Sequence, residues 1–273
     1  EYMQICYALW RGIPKDAVLQ DKKNGIFADP SKIEKIAFDG EYLSCHATPS
    51  VLPSPQGRPV LFQAGSSGRG QQFAVSHADV IFAIQPDLAR MQTFMAQIRA
   101  AGKANKRRDP VRVTFAIQPF IGETLAGAEA KRDAMLARIP LEAALTRISG
   151  TFGIDLDTVD IDLPLQEIST QASQGLVSAM SSMFGDKNIT LREAVRLSGL
   201  AGMIPQILGT PEDVADQLEE IWRQTGCHGF NLTPAIVPGG YEEFVDQVVP
   251  LLQQRGIFRT EYEADTLRGN MMD

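Results

Sequence analysis

The sequence predicts an α/β protein built around a parallel sheet. Unbroken apolar runs of strand length, the form expected of parallel strands covered on both faces, occur at residues 59–65, 78–84, 111–122 and 229–237. Segments in which apolar residues keep helical spacing follow the second run, precede the fourth and follow the fourth. Because strands and helices alternate along the chain, right-handed strand–helix–strand units are the expected building blocks.

The first element is a helix, since residues 1–10 place apolar side chains at the spacing of one packed helix face: Tyr2, Ile5, Cys6, Leu9 and Trp10. No cap residue or loose polar stretch precedes this face, which predicts that the chain begins inside a helix and that upstream sequence is missing. Residues 11–57 have little periodicity. Within them, short strands are expected at 35–38 and 41–44 around a turn at Asp39-Gly40.

Three later helices are predicted from spacing and caps. The first covers 88–102, with Leu88, Met91, Met95 and Ile98 on one face and Gly102 as its stop. The second, over 210–226, begins at the N-cap Thr210 with Pro211 in the first turn and Asp213 in the capping-box position, and ends at Gly226. Residues 241–256 form the third despite Pro250.

Residues 123–208 interrupt the alternation and are interpreted as an insertion. They contain helical pieces at 124–139 and 190–200, the latter with a Thr190/Glu193 capping box, and a Gly/Ser/Met-rich passage at 173–188. An insertion of this length is more often a lid or binding loop than filler.

Composition excludes several kinds of partner and site. The chain of 273 residues is 44% hydrophobic, and its 26 basic against 33 acidic residues give a net charge of -7 without a basic patch, so no nucleic-acid partner is expected. No apolar run approaches the roughly 20 residues that span a bilayer, and no leader is visible. Three distant cysteines predict neither disulfides nor structural zinc and suit the cytoplasm.

The candidate site lies at the carboxyl ends of the predicted strands, where parallel sheets and barrels place their chemistry. These ends are polar and almost uncharged: residues 63–68, then Gln85-Pro86, Gln118-Pro119 and Thr233-Pro234. The first, with Gly65, Ser66 and Ser67, opens a helix and offers backbone N–H groups and hydroxyls to an anion, for which a phosphate group is the natural guest. The competing interpretation is a tight turn that needs small residues. Arg69 either pairs with the same phosphate or is an exposed residue at the helix start.

Other catalytic interpretations are weaker. His46, His77 and His228 are isolated, and in the Cys45-His46 and Cys227-His228 pairs neighbouring side chains point to opposite faces of a strand, so no metal site is predicted. A hydrolase with Ser66 or Ser67 as nucleophile lacks the G-x-S-x-G spacing. Paired acids are expected on solvated faces: Asp155/Asp157, Asp160/Asp162 and Glu242/Glu243.

Several stretches together identify a family. The segments "PSPQGRPVLFQAGSSGRG", "HADVIFA", "GTPEDVADQLEEIW" and "FRTEYEADTLR" resemble the nitrilotriacetate / dibenzothiophene-sulfone monooxygenase group of the bacterial luciferase-like superfamily. "ADPSKIEKIAFDGEYLS" is similar to the same group. The resemblance implies a TIM-type (β/α)8 barrel of which this chain is the C-terminal part, with residues 1–273 in a single partial barrel domain. By the same resemblance, residues 123–208 cover the active site and influence substrate choice.

The resemblance also implies an activity. Members are two-component flavin-dependent monooxygenases: a separate NAD(P)H:flavin reductase supplies reduced FMN, which reacts with O2 to oxygenate a small organic substrate such as an aminopolycarboxylate, an organosulfur compound or an alkane. It assigns the FMN phosphate to Ser67, then Ser66, with Gly65 allowing close backbone approach. Catalytic residues are expected upstream and are not named, and a homo-oligomer is expected. The alternative is a catalytically incomplete fragment that binds only a phosphate-bearing ligand or its missing barrel half.

Overall fold

The computed structural model describes residues 1–64, 68–106, 109–152, 155, 158–167, 188–199 and 201–272. The chain divides into two compact units. The first comprises Glu1–Leu61 and Glu261–Asp273, and the second comprises Phe62–Thr260. A single domain over 1–273 stays a prediction.

The first unit contains two helices and two hairpins. Helix α1 spans Tyr2–Arg11, strands β1 (Val18–Asp21) and β2 (Ile26–Ala28) pair antiparallel, as do β3 (Ile36–Asp39) and β4 (Ser44–Ala47), and α10 spans Leu267–Met272. The opening helix is confirmed, whereas the β1–β2 hairpin was not predicted because it has no periodic apolar pattern.

The second hairpin differs from the prediction in one strand. Residues 41–43, predicted as strand, instead form the connection between β3 and β4. Their backbone N–H groups donate to the Glu1 carboxylate at 2.7–2.9 Å, so they cannot also pair with β3. The pairing strand therefore begins at Ser44, opposite Asp39.

The second unit is built on a parallel sheet of five strands: β5 (Phe62–Ala64), β6 (Val80–Ala83), β7 (Arg112–Ile121), β8 (Gln206–Gly209) and β9 (Gly229–Leu232). The four predicted strands are confirmed with shorter bounds, and all pairings among the five are parallel. Strand β8 was missed by sequence reasoning because it is a four-residue strand at the end of the 123–208 region.

The long strand β7 organises this sheet because both of its edges are used. Successive backbone groups of a strand point to opposite edges. The even-numbered Arg112 and Gln118 donate their N–H groups to Asp79 before β6 and to Pro205 before β8, whereas Val113 and Ile117 accept from His228 and Thr233 beside β9. Strands β6 and β8 thus follow one another along one edge of β7, and β9 occupies the other.

Helices cover one face of the sheet. They are α2 (Gly68–His77), α3 (Leu88–Ala104), α7 (Pro211–Thr225), α8 (Gly239–Gln247) and α9 (Val249–Gln254). Odd-numbered residues of β6 and β7, from Ile81 and Phe115 to Ile121, pack with these helices in two apolar clusters. This face forms the core of the second unit.

The region between β7 and β8 has a core of its own. Its described helices are α4 (Leu125–Leu136), α5 (Leu141–Phe152) and α6 (Leu191–Ser198). Apolar residues of α5 and α6 form a separate buried cluster together with Leu165 and Ile189. The predicted Thr190/Glu193 capping box is present at the start of α6. Its Gly/Ser/Met-rich passage lies outside the described residues apart from residue 188.

Two predicted helix boundaries were wrong. Helix α3 passes through Gly102 and ends at Ala104, since the last turn continues to the C-cap Asn105. The predicted helix over 241–256 is two helices that meet at Val248, with Pro250 in the first turn of α9, where a missing N–H costs no helical hydrogen bond. By contrast, Thr210, Asp213 and the left-handed Gly226 cap α7 as predicted.

Candidate functional site

The face of the sheet opposite the helices carries the candidate site. It is formed by even-numbered residues of β5, β6 and β7, whose register aligns Ala64, Phe82 and Thr114 in one row. Buried members such as Ala116 and Phe120 belong to neither helix-packed cluster. Phe62 is 50% exposed and Ile84 is 40% exposed on this face. The surface is therefore apolar, and polar groups are gathered toward one end.

The polar end centres on Gln118, a buried side chain on this face of β7. Its Nε2 donates to the carbonyl oxygen of Thr233, just beyond β9, over 3.3 Å, and its Oε1 accepts from Gln206 Nε2 on β8 over 3.5 Å. The Thr233 hydroxyl donates to the Ile117 carbonyl at 2.8 Å. Both ends of the buried amide are thus satisfied, which fixes its orientation.

This polar layer also contacts the region between β7 and β8. Gln206 Nε2 donates to the carbonyl oxygen of Leu197 in α6 over 3.0 Å. Asn231 of β9 pairs with Ala116, which lies two residues before Gln118 in β7, and Asn231 is half-buried. Within the described part of the chain its side-chain amide forms no hydrogen bond.

The structure describes the residues on either side of the predicted phosphate loop but not the loop itself. Gly65, Ser66 and Ser67 lie outside the described residues, and their role stays a prediction. On one side β5 ends at Ala64, whose carbonyl accepts from Gln63 Nε2 at 2.7 Å. On the other side α2 begins at Gly68 and carries no acidic residue in its first turn.

Histidines and cysteines form no cluster that could hold a metal among the described residues. His228 Nδ1 accepts the backbone N–H of Val113 at 3.1 Å. Burial, together with the charges of Arg112 and Arg99, lowers the pKa of His228 from its ordinary value. Burial raises the pKa of the Cys227 thiol, and none of the three cysteines is in a disulfide.

Two members of the predicted acidic pairs, Asp162 and Glu243, bond to cations. Asp162 accepts two hydrogen bonds from Arg192, and these bonds together with the charge of Arg192 hold the pKa of that carboxyl below its ordinary value. Glu243, expected on a solvated face, is half-buried and pairs with Lys131 of α4. Neither arrangement is a general acid/base pair. No helix among the described residues is both long and apolar enough to cross a membrane.

A parallel sheet with helices on one face and polar side chains gathered on the other is an arrangement found in barrel-type α/β proteins. Comparison with known proteins gives the family: the model described as luciferase-like monooxygenase matches residues 1–229. The chain belongs to that family, as the sequence motifs predicted.

Individual relatives agree with this assignment. The chain is 36% identical over 277 residues to the dibenzothiophene-sulfone monooxygenase of Rhodococcus erythropolis, covering 99% of this chain and 61% of the relative. The crystal structure of DmoA from Hyphomicrobium sulfonivorans superposes with a TM-score of 0.92 at 35% identity, over 99% of this chain and 58% of that one. The chain therefore spans about three fifths of the length of its relatives.

A third similar protein carries a flavin. The structure of riboflavin lyase (RcaE) with modified FMN and riboflavin has a TM-score of 0.83 and 32% identity, over 99% of this chain and 60% of that one. The luciferase-like fold predicted from the sequence is thus confirmed by similarity at both the sequence and the structural level.

Sequence reasoning found part of this site. It named Gln118 and Thr233 as strand ends, although Gln118 lies within β7 rather than after it. It missed Gln206 together with β8, and Asn231 had no distinguishing signal. Gln206 is the residue that links the polar layer to α6.

Proposed function

We propose that the protein is a two-component flavin-dependent monooxygenase that oxygenates a small organic substrate with O2. The observation that carries this proposal is the 36% identity with a named monooxygenase along almost the whole chain. The finer assignments, reduced FMN as the flavin and a separate NAD(P)H:flavin reductase as its source, belong to the same proposal. Reduced FMN would supply the electrons that activate O2.

The residues flanking the predicted phosphate loop fit an FMN phosphate. Helix α2 starts directly after the loop in the chain, so the positive end of its dipole follows Gly65, Ser66 and Ser67 in the sequence. The absence of an acidic residue from the first turn of α2 removes a charge that would repel the phosphate. In this proposal Ser67 and Ser66 donate hydroxyl hydrogen bonds to the phosphate, and Gly65 allows backbone approach.

The chain's other residues would shape the remainder of the site. Gln118, fixed by Thr233 and Gln206, joins β7 to the first residue of β8 and to the residue that follows β9. The apolar side chains around it exclude water from a reactive centre, which such chemistry requires. Residues 123–208 would cover the site and select among aminopolycarboxylate, organosulfur and alkane substrates. Gln206, which lies in this region, bonds both to Leu197 of α6 and to Gln118 of β7. A homo-oligomer in the cytoplasm completes the proposal.

Flavin titration tests the cofactor site. Ser67→Ala should weaken FMN binding by about 1–3 kcal/mol through the loss of a charge-assisted hydrogen bond, measured by quenching of flavin fluorescence. Ser76→Ala is the matched control, because the Ser76 hydroxyl lies on the exposed surface of α2, where it donates to the Gln72 carbonyl and accepts from Asn105 Nδ2. Equal affinities of the two variants would contradict the assignment.

Turnover tests the activity itself. Oxygenation of dibenzothiophene sulfone, nitrilotriacetate and a long-chain alkane is assayed with a flavin reductase and NADH. Oxygenated product from any of the three supports the proposal. FMN binding without product from any substrate supports the alternative, a protein that binds a phosphate-bearing ligand without catalysis.

A further inference from the structure

A cavity lies wholly within the first unit. Its volume is about 640 Å³, within the range of sites that hold small organic molecules. Its walls come from α1, the turn that follows α1, the loop before β5 and α10, and include the aromatic residues Tyr7 and Trp10. None of the strand-end residues described above contributes to it.

The cavity lining carries charge of one sign. Four cations line it and no acidic residue does: Arg11, Lys15, Arg58 and Arg268. This is the reverse of the whole chain, whose net charge is -7. Since a concave surface lined by one sign of charge concentrates its field, the cavity attracts anions.

Two of these cations have no carboxylate partner in the described part of the chain. Arg11 Nε donates to the Tyr7 carbonyl at 3.1 Å, and Lys15 Nζ donates to the Pro55 carbonyl. Bonds to backbone carbonyls orient these side chains without neutralising them. Their charge remains for a bound anion to offset.

The other two cations are held by the loop before β5. The Arg268 guanidinium donates to the Pro59 carbonyl at 2.9 Å, while its backbone N–H donates to Gln56 Oε1 at 3.0 Å. The Arg58 guanidinium lies 5.8 Å from the centre of the Tyr7 ring. The positions of both charges are therefore set before any ligand enters.

The aromatic wall identifies the body of the ligand. Tyr7 and Trp10 lie one turn apart on α1, with ring centres 5.9 Å apart in an edge-to-face arrangement. An inorganic anion would fill only a small part of about 640 Å³ and would leave these rings uncovered. A planar organic anion could pack its apolar body against the two rings and place its negative charge near the cations.

We infer that this cavity is a binding site for a planar aromatic carboxylate or sulfonate. Its apolar body packs against Tyr7 and Trp10, and its anionic group faces Arg11 and Lys15. The inference does not depend on the flavin chemistry, because no residue of the second unit takes part. Its test is a binding measurement made without flavin.

The probe is 2-naphthalenesulfonate, followed by quenching of Trp10 fluorescence. Trp10 and Trp222 are the two tryptophans of the chain, so the Trp222→Phe variant of the 273-residue chain leaves Trp10 as the single reporter. We expect saturable quenching, with weaker binding as NaCl is raised because salt screens the charge attraction. Uncharged 2-naphthalenemethanol should bind at least about tenfold more weakly, the ratio that corresponds to one charge-assisted contact.

Substitutions in the same background locate the site. Arg11→Gln and Lys15→Gln should each raise the dissociation constant of the sulfonate about three- to tenfold. Lys22→Gln, in the exposed turn between β1 and β2, is the control and should leave it unchanged. Circular dichroism checks that each variant is folded. If a variant does not fold, the NaCl dependence of binding to the Trp222→Phe protein, whose cavity residues are unchanged, tests the inference instead. Absence of saturable quenching, equal binding of the sulfonate and the alcohol, or equal binding by the lining and control variants would overturn the inference.

Discussion

The side-chain amide of Gln118 donates to the carbonyl oxygen of Thr233 over 3.3 Å and so joins β7 to the end of β9. The same side chain accepts from Gln206 on β8. One buried amide therefore connects three strands at the end of the sheet where the candidate site lies. A residue in this position contributes both to stability and to the geometry of the site.

Gln118→Leu should lower the free energy of unfolding by about 1–3 kcal/mol, because it leaves polar partners of the amide without their hydrogen bonds. Urea unfolding measures the change. Gln97→Leu is the control, since Gln97 lies exposed on α3 and, among the residues that the structure describes, its side chain bonds to Gln71 alone. It should change stability by less than about 0.5 kcal/mol. Similar effects of the two substitutions would mean that the Gln118 network contributes little.

The pair Lys131–Glu243 should couple α4 to α8. Lys131 is 34% exposed and Glu243 26%, and Lys131 Nζ also donates to the Ile121 carbonyl at the end of β7. A double-mutant cycle of Lys131→Ala and Glu243→Ala should give a coupling of about 1 kcal/mol, near the upper limit for surface pairs. The Lys32–Asp16 pair, 43% and 71% exposed, should couple by less than about 0.5 kcal/mol. The reverse order would contradict this prediction.

Two glycine substitutions should change stability in opposite directions. A Cβ at Gly122 would lie 2.5 Å from the backbone nitrogen of Ala128, so Gly122→Ala should destabilise the fold by about 1–3 kcal/mol. A Cβ at Gly102, inside α3, meets nothing within 4 Å. Gly102→Ala should therefore stabilise by about 0.5–1 kcal/mol through helix propensity. Thermal unfolding distinguishes the two, and a loss of stability in Gly102→Ala would contradict the helical role of residue 102.

Because of His228, the free energy of unfolding should decrease as the pH is lowered below 6.5, the ordinary pKa of histidine. Burial, Arg112 and Arg99 lower its pKa in the folded protein, so the unfolded chain binds a proton first as the pH decreases. The contribution of this group is complete above pH 6.5 and is lost as the pH falls through the lowered folded-state pKa. His228→Asn should flatten the dependence of the unfolding midpoint on pH between 7.5 and 5. An unchanged slope would show that other groups account for it.

Features that depend on local sequence could be predicted. The caps of α7, from Thr210 and Asp213 to Gly226, follow from residue types that satisfy free backbone groups within one turn. The capping box of α6 was found for the same reason. Four strands of the parallel sheet could be predicted from the sequence because buried parallel strands are continuously apolar.

Features that depend on distant partners could not. Strand β8 is four residues long and is defined by its pairing with Gln118–Ile121 more than 80 positions earlier in the chain. Residues 41–43 leave their predicted strand because Glu1, forty positions away, accepts their N–H groups. Gly102 stays helical because α3 packs on the sheet through Met95 and Ile98, and tertiary packing overrides a weak local stop.

The sequence by itself determined the family, four of the five strands of the parallel sheet, and the polar character of the strand ends, because these reside in motifs and in short-range periodicity. Only the tertiary structure decided that β6 and β8 share one edge of β7, that Gln118 joins three strands, and that four cations from separate segments line one cavity. The physical reason is that hydrogen bonds and charge clusters join residues that the backbone brings together in space, and no local pattern encodes which distant groups will meet.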